Sequence, residues 1–179
     1  MRWIVLTCLL ASPGWAADCP AAPDHGVAFA KLVESIRAAP DQNAARRISN
    51  DMWALWADAP DEPAQEMLDA GMTKRAAYDF LGAINDFDRL IAYCPSYAEG
   101  YNQRAFVNFL RQDFQSALAD LDRAIDLSPS HIAALSGRAL TLIGLGREEA
   151  AQADLEIAVG LNPWLPERGL LKKPVGDDL

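Results

Sequence analysis

A spacing of 34 residues runs through the middle of this chain and limits what it can become. Ala83, Ala117 and Ala151 stand one period apart, as do Phe87, Leu121 and Leu155, and again Pro95, Pro129 and Pro163. Three acids, Asp86, Asp120 and Asp154, keep the same step. Self-similarity at a fixed period of this length marks one supersecondary unit copied in tandem. In the middle copy, small residues (Ala105, Ala117, Ala124) fall where two helices need close approach. Tyr101, Phe114 and Leu121 fill the space between, and Pro129 ends the unit. A helix pair of this kind has two apolar faces and buries only one by itself, so the copies must lean on one another in series. Heavy use of alanine, with few β-branched residues outside short helical runs, points to an all-α chain.

The pattern resembles the tetratricopeptide repeat, with copies at 64–97, 98–131 and 132–165 inside a block spanning 61–165. That resemblance implies a right-handed α-solenoid of about three helix hairpins and a binding scaffold. Gly71, Ala83 and Pro95 fit the first copy. Tyr78 and Gln112 stand where the inter-helix turn usually has glycine, while the third copy carries the usual Gly146. In this family the first helix of each copy lines a concave face. Carried onto this sequence, the implied partner-binding groove has an apolar floor of Met72, Phe106, Phe109, Leu140 and Ile143. Arg75, Asn102, Gln103 and Ser136 supply its polar groups. The family's carboxylate clamp for chaperone tails needs lysine, asparagine and arginine where this chain has Leu68, Met72 and Phe106, so that sub-function is not expected. A mixed groove of this composition suits an amphipathic helix or an extended apolar peptide. The alternative is internal, with the N-terminal helices or the tail covering the same side chains as core. Three copies make a short arc, so the groove should be shallow.

Before the repeats, MRWIVLTCLLASPGWA reads as a secretory signal peptide over residues 1–16, with Arg2, an apolar run, and Gly14 and Ala16 at the cleavage positions. The apolar run is shorter than the ~20 residues of a membrane anchor. A cleavable signal places the mature chain in the periplasm or otherwise outside the cytoplasm. Residues 17–60 then hold a leader and two helices, Gly26 to Ala38 and Gln42 to Ala57, with Pro40 ending the first and Asp41 capping the second. Trp53 and Trp56 hold the phase of Phe87 and Leu90, so this pair is expected to cap the array. The other possibility is an aromatic wall for a ligand. Residues 166–179 are a short tail: Pro166 to Lys173 has room for one short helix, and Trp164, Leu165, Leu170 and Leu171 could shield the last repeat.

Cys19 and Cys94 remain after signal removal, and an even count in an oxidising compartment invites a disulfide. Such a bridge would tie the mature N-terminus to the turn between the first two repeats and stabilise by about 4 kcal/mol in the chain-entropy model. Otherwise Cys94 fills a buried turn and Cys19 is free. No Cys-x-x-Cys points to redox catalysis.

The formal charge is −9, and removing Arg2 leaves 15 basic against 25 acidic residues, a net of −10. No basic cluster is present, which argues against nucleic acid as a partner. His25 and His131 are the only imidazoles, and no zinc-protease signature or Gly-rich phosphate loop occurs. Asp86, Asp120 and Asp154, with Asp88, Asp122 and Glu156, lie at repeat positions and read as a solvated ridge rather than a metal site. No cofactor, metal or catalysis is expected. The sequence therefore points to a periplasmic adaptor that binds a protein or peptide through its concave face. A structural module that self-associates, as a homodimer, is the alternative.

Overall fold

The computed structural model describes residues 19–172. The signal segment 1–16 and the end of the tail lie outside the described residues. Eight α-helices and no strand make up the described chain, followed by a short 3-10 turn, Pro166–Leu170. They are α1 (Gly26–Arg37), α2 (Gln42–Trp56), α3 (Glu62–Ala76), α4 (Phe80–Tyr93), α5 (Ala98–Leu110), α6 (Phe114–Leu127), α7 (Ile132–Gly144) and α8 (Glu148–Leu161).

The helices begin where short polar side chains can serve the free N–H groups of the first turn. Asp41 accepts from the Ala44 N–H at 2.8 Å, and Asp61 from that of Ala64 at 3.0 Å. Asp79 and Asp113, one period apart, do the same for α4 and α6 at 3.0 and 3.2 Å. The turns between paired helices close in the left-handed region at Tyr78 (φ 63°), Gln112 (φ 61°) and Gly146 (φ 72°). In each, two backbone bonds take up the last carbonyls of the helix: around Gln112, its own N–H donates to Phe109 and that of Asp113 to Asn108, both at 2.9 Å. This is the Schellman arrangement, which normally favours glycine. Two of the three turns manage it without one.

Helices α3–α4, α5–α6 and α7–α8 form the hairpins, and α4–α5 and α6–α7 contacts stack them in sequence order. Further α3–α5 and α5–α7 contacts set the first helices side by side on one face. The repeated alanines Ala83, Ala117 and Ala151 are fully buried, as are Phe87 and Leu155, with Leu121 nearly so. Gly71 lets α3 approach α4 closely: a Cβ there would collide with the Phe87 ring.

The N-terminal pair does not continue the stack as an end cap. Its apolar residues Val33, Ile36, Ala45 and Met52 share one core with Ile132 and Leu135 of α7 and Ala158 of α8. Arg37 donates to the Gly160 carbonyl at 3.0 and 2.6 Å, and the Trp164 indole donates to that of Ile36 at 3.1 Å. Thus α1–α2 forms a strap that leaves the start of the array and docks on its last hairpin. The physical reason is apolar area: α7, α8 and Trp164–Leu165 offer Val33 and Ile36 an apolar seat.

Cys19 and Cys94 form a disulfide across 75 residues of chain. Cys94 is fully buried beside Leu90 and Tyr97, and Cys19 packs against the same cluster. The bridge fixes the chain's entry point at the end of α4. In the tail, Trp164 and Leu165 pack on the strap's core and Leu171 on that of the last hairpin, while Leu170 is exposed. A 3-10 turn replaces the short helix read from the sequence.

One reading is corrected. Asp86, Asp120 and Asp154 are not a solvated ridge: they are 3%, 7% and 3% exposed. Arg104 on α5 grips Asp120 at 2.9 and 2.5 Å and reaches back to Asp88 on α4 at 2.6 Å. Arg138 repeats this one period later, with Asp154 at 2.8 and 2.7 Å and Asp122 at 2.8 Å. In the first hairpin Lys74 meets Asp86 at 2.6 Å. The hydrogen bond to the buried aspartate chiefly, and the second carboxylate after it, raise both arginines above their usual range against the cost of burial. Only Asp88, Asp122 and Glu156 are exposed in the expected way.

Candidate functional site

A cavity of about 820 Å³ opens between α2 and the concave faces of α5 and α7. Asn102, Gln103, Phe106 and Phe109 from α5 and Ser136 and Leu140 from α7 form its floor, and Arg75 from α3 reaches its edge. These are residues the resemblance assigned to the groove, brought together because helix positions one period apart sit side by side. Met72 and Ile143 lie outside the cavity, packed against the cores of the first and last hairpins. The strap makes the facing wall with Arg46, Ser49, Met52, Trp53 and Trp56, which puts the tryptophan pair in the alternative place the sequence allowed it, an aromatic wall. Asn162 and the segment from Trp164 to Glu167 complete it. Three hairpins alone would give a shallow arc. The strap turns it into a walled trough.

Beneath the floor lies a buried polar chain. The Glu99 carboxylate, 1% exposed, accepts from Asn102 at 3.0 Å and from Gln103. It also meets Nε2 of the fully buried His131 at 2.8 Å. The other imidazole nitrogen caps α7 by accepting from the Ala134 N–H at 3.3 Å, which leaves Nε2 to donate to Glu99. Gln103 passes the chain outward by accepting from Arg75. Trp56 stacks on the His131 ring at 4.3 Å, and the Tyr97 hydroxyl donates to the Trp56 carbonyl at 2.7 Å. Burial, with the negative charges of Glu99, Asp58 and Asp69, raises the Tyr97 phenol well above its ordinary value, so it stays a donor. The network therefore fastens the strap to the array as well as holding the floor rigid.

Two groups on the cavity are left with unused capacity. The Ser136 hydroxyl is buried without a hydrogen-bond partner. Arg75 lays its guanidinium 5.0 Å from the Phe106 ring centre. Burial pushes the Arg75 pKa down, opposed by the charge of Glu99. Among the described residues no group of histidines, cysteines and carboxylates is placed to hold a metal ion. No helix among them is long and apolar enough to cross a membrane.

Glu99 and His131 were visible in the sequence only as a groove position and a junction residue. Their separation of 32 residues, near one full period, was the signal that could have paired them. The strap's docking seat on the last hairpin had no such signal, because the contacts that make it recur at no fixed spacing.

No family model matches the chain, and no curated protein matches it. Solved structures do. The first tetratricopeptide domain of Spaghetti bound to an HSP90 peptide is 23% identical, covers 60% of this chain and 90% of its own, and has a TM-score of 0.58. The TPR2B domain of yeast Sti1, in a complex with pHsp70, is 24% identical with the same coverage and a TM-score of 0.56. MamA is 24% identical over 73% of this chain and 74% of its own, with a TM-score of 0.54. Hairpins of one length, stacked in sequence order with their first helices on a common concave face, give this chain the tetratricopeptide-repeat fold.

Proposed function

We propose that this protein is an exported, non-catalytic adaptor that holds a segment of another protein in the trough between its strap and its concave face. The observation that carries this reading is the cavity itself. It gathers apolar side chains (Phe106, Phe109, Leu140, Trp53) and a few convergent polar groups at a size within the ~300–1,000 Å³ of ordinary binding sites. Phe106 stays 45% exposed on that floor, although a large aromatic side chain gains by burial. The Spaghetti domain bound to an HSP90 peptide and the Sti1 domain in complex with pHsp70 show that the same fold takes a guest in other proteins. Export rests on residues 1–16 and periplasmic location on the same segment, with the Cys19–Cys94 bridge suited to an oxidising compartment.

A photo-crosslinking residue placed at position 106 tests the site in intact cells, with position 157, exposed on α8, as control. A discrete adduct from 106 and none from 157 is expected. Equal adducts from both, or none from 106, overturn the reading. An adduct of twice the chain's own mass would instead identify a second copy as the occupant. Intact mass of the exported chain is expected to begin at Ala17.

A further inference from the structure

The trough's chemistry narrows its guest, taking the proposed function as given. We propose that the guest is an apolar stretch bearing an acidic side chain, whose carboxylate pairs with Arg75.

The argument for the acid is one of charges left over. Arg104 and Arg138 each hold two aspartates. Arg75 has five N–H donors. Its one hydrogen bond to a side chain goes to the neutral Gln103, and no carboxylate lies within ion-pair distance of it among the described residues. The nearest acid in the floor, Glu99, is already shared among Asn102, Gln103 and His131. Among the described residues the second cavity arginine, Arg46, bonds only the neutral Asn43, at 2.6 Å. Two arginines against one glutamate, Glu167, thus line the trough of a chain whose net charge is −9. A half-buried guanidinium without a carboxylate attracts one, and the fork geometry favours a bidentate grip.

Phe106, Phe109 and Leu140, which line the same trough, take the guest's apolar side chains.

The test uses the full mature chain and an immobilised library of octapeptides. Their ends are acetylated and amidated, their positions are random apolar residues, and one central position is Glu, Gln or Lys. Blocked ends remove any terminal carboxylate. The Glu set is expected to bind about tenfold better than the Gln set, with the Lys set weakest. Arg75→Gln should erase the advantage of the Glu set over the Gln set. Equal binding of Glu and Gln sets, or Arg75→Gln weakening both alike, overturns the acidic guest while leaving the adaptor reading intact. Failure of every set, unaltered by Phe106→Asp in a chain that keeps its helical spectrum, overturns both.

Discussion

Replacing Gln112 with glycine removes a backbone cost and touches nothing else. Gln112 sits at φ 61°, and its turn is held by backbone bonds that the substitution preserves. An L-residue in the left-handed region costs ~1–2 kcal/mol relative to its right-handed conformation. Glycine avoids that cost but loses ~0.5–1 kcal/mol through the greater freedom of its unfolded chain. The exposed Gln112 side chain takes no packing with it. Gln112→Gly should therefore stabilise by ~0.5–1 kcal/mol, or about 1–4 °C for a chain of this size. Gly146→Ala is the mirror experiment. No atom lies within 4 Å of a Cβ placed there, so its effect is conformational alone and should be a loss of similar size. Urea unfolding followed by circular dichroism measures both, with an unchanged m-value showing that the unfolded state is comparable. A neutral or destabilised Gln112→Gly together with a neutral Gly146→Ala would refute the reasoning, because the two positions would then not carry the left-handed cost.

Other outcomes follow from packing and charge. Gly71→Ala drives a methyl into the buried Phe87 ring and should cost ~1–3 kcal/mol by overpacking, read as a lowered urea midpoint. Cys19→Ser opens the 75-residue loop and should cost up to about 4 kcal/mol in the chain-entropy model, with wild type under reductant matching the variant. Arg104→Met strands the buried Asp120 and should cost ~1.5–3 kcal/mol, whereas Asp88→Asn, at the exposed end of the same clamp, should cost under ~1 kcal/mol in the same assay.

The repeat array was legible because periodic packing writes periodic sequence. Each alanine at 83, 117 and 151 meets the same neighbour one unit on, so its size requirement recurs. Local rules worked for the same reason: Pro40 stops α1, and Asp41 and Asp61 cap the helices that follow. The strap's seat was not legible, since Ile36 meets Trp164 and Arg37 meets Gly160 once only, over a hundred residues apart. The aspartates were misread because their type suggested water. Their partners were nonetheless on display: Arg104 and Arg138 stand one period apart, each 16 residues before a buried aspartate. A cation that keeps step with an anion is a pairing signal, and polarity alone is not. In the trough, most of the inherited groove positions fall on the floor, with Met72 and Ile143 outside it, and the wall uses Trp53 and Trp56, whose repeat phase was legible while the surface they face was not.

A row of hairpins joined only to its neighbours behaves like a spring, able to lengthen and to unzip from either extremity. Here the clasp formed by Arg37, Ile36 and Trp164 links the first helix to the last turn, and the sulfur bridge pins the clasp's root. Among the described residues, such a loop leaves no terminal hairpin unattached from which unravelling can begin at little cost. Losing the final hairpin would lay bare Ile36 and Met52, so melting should engage the whole molecule at once. Its curvature is set before any guest arrives, and a guest must fit that opening or strain the clasp.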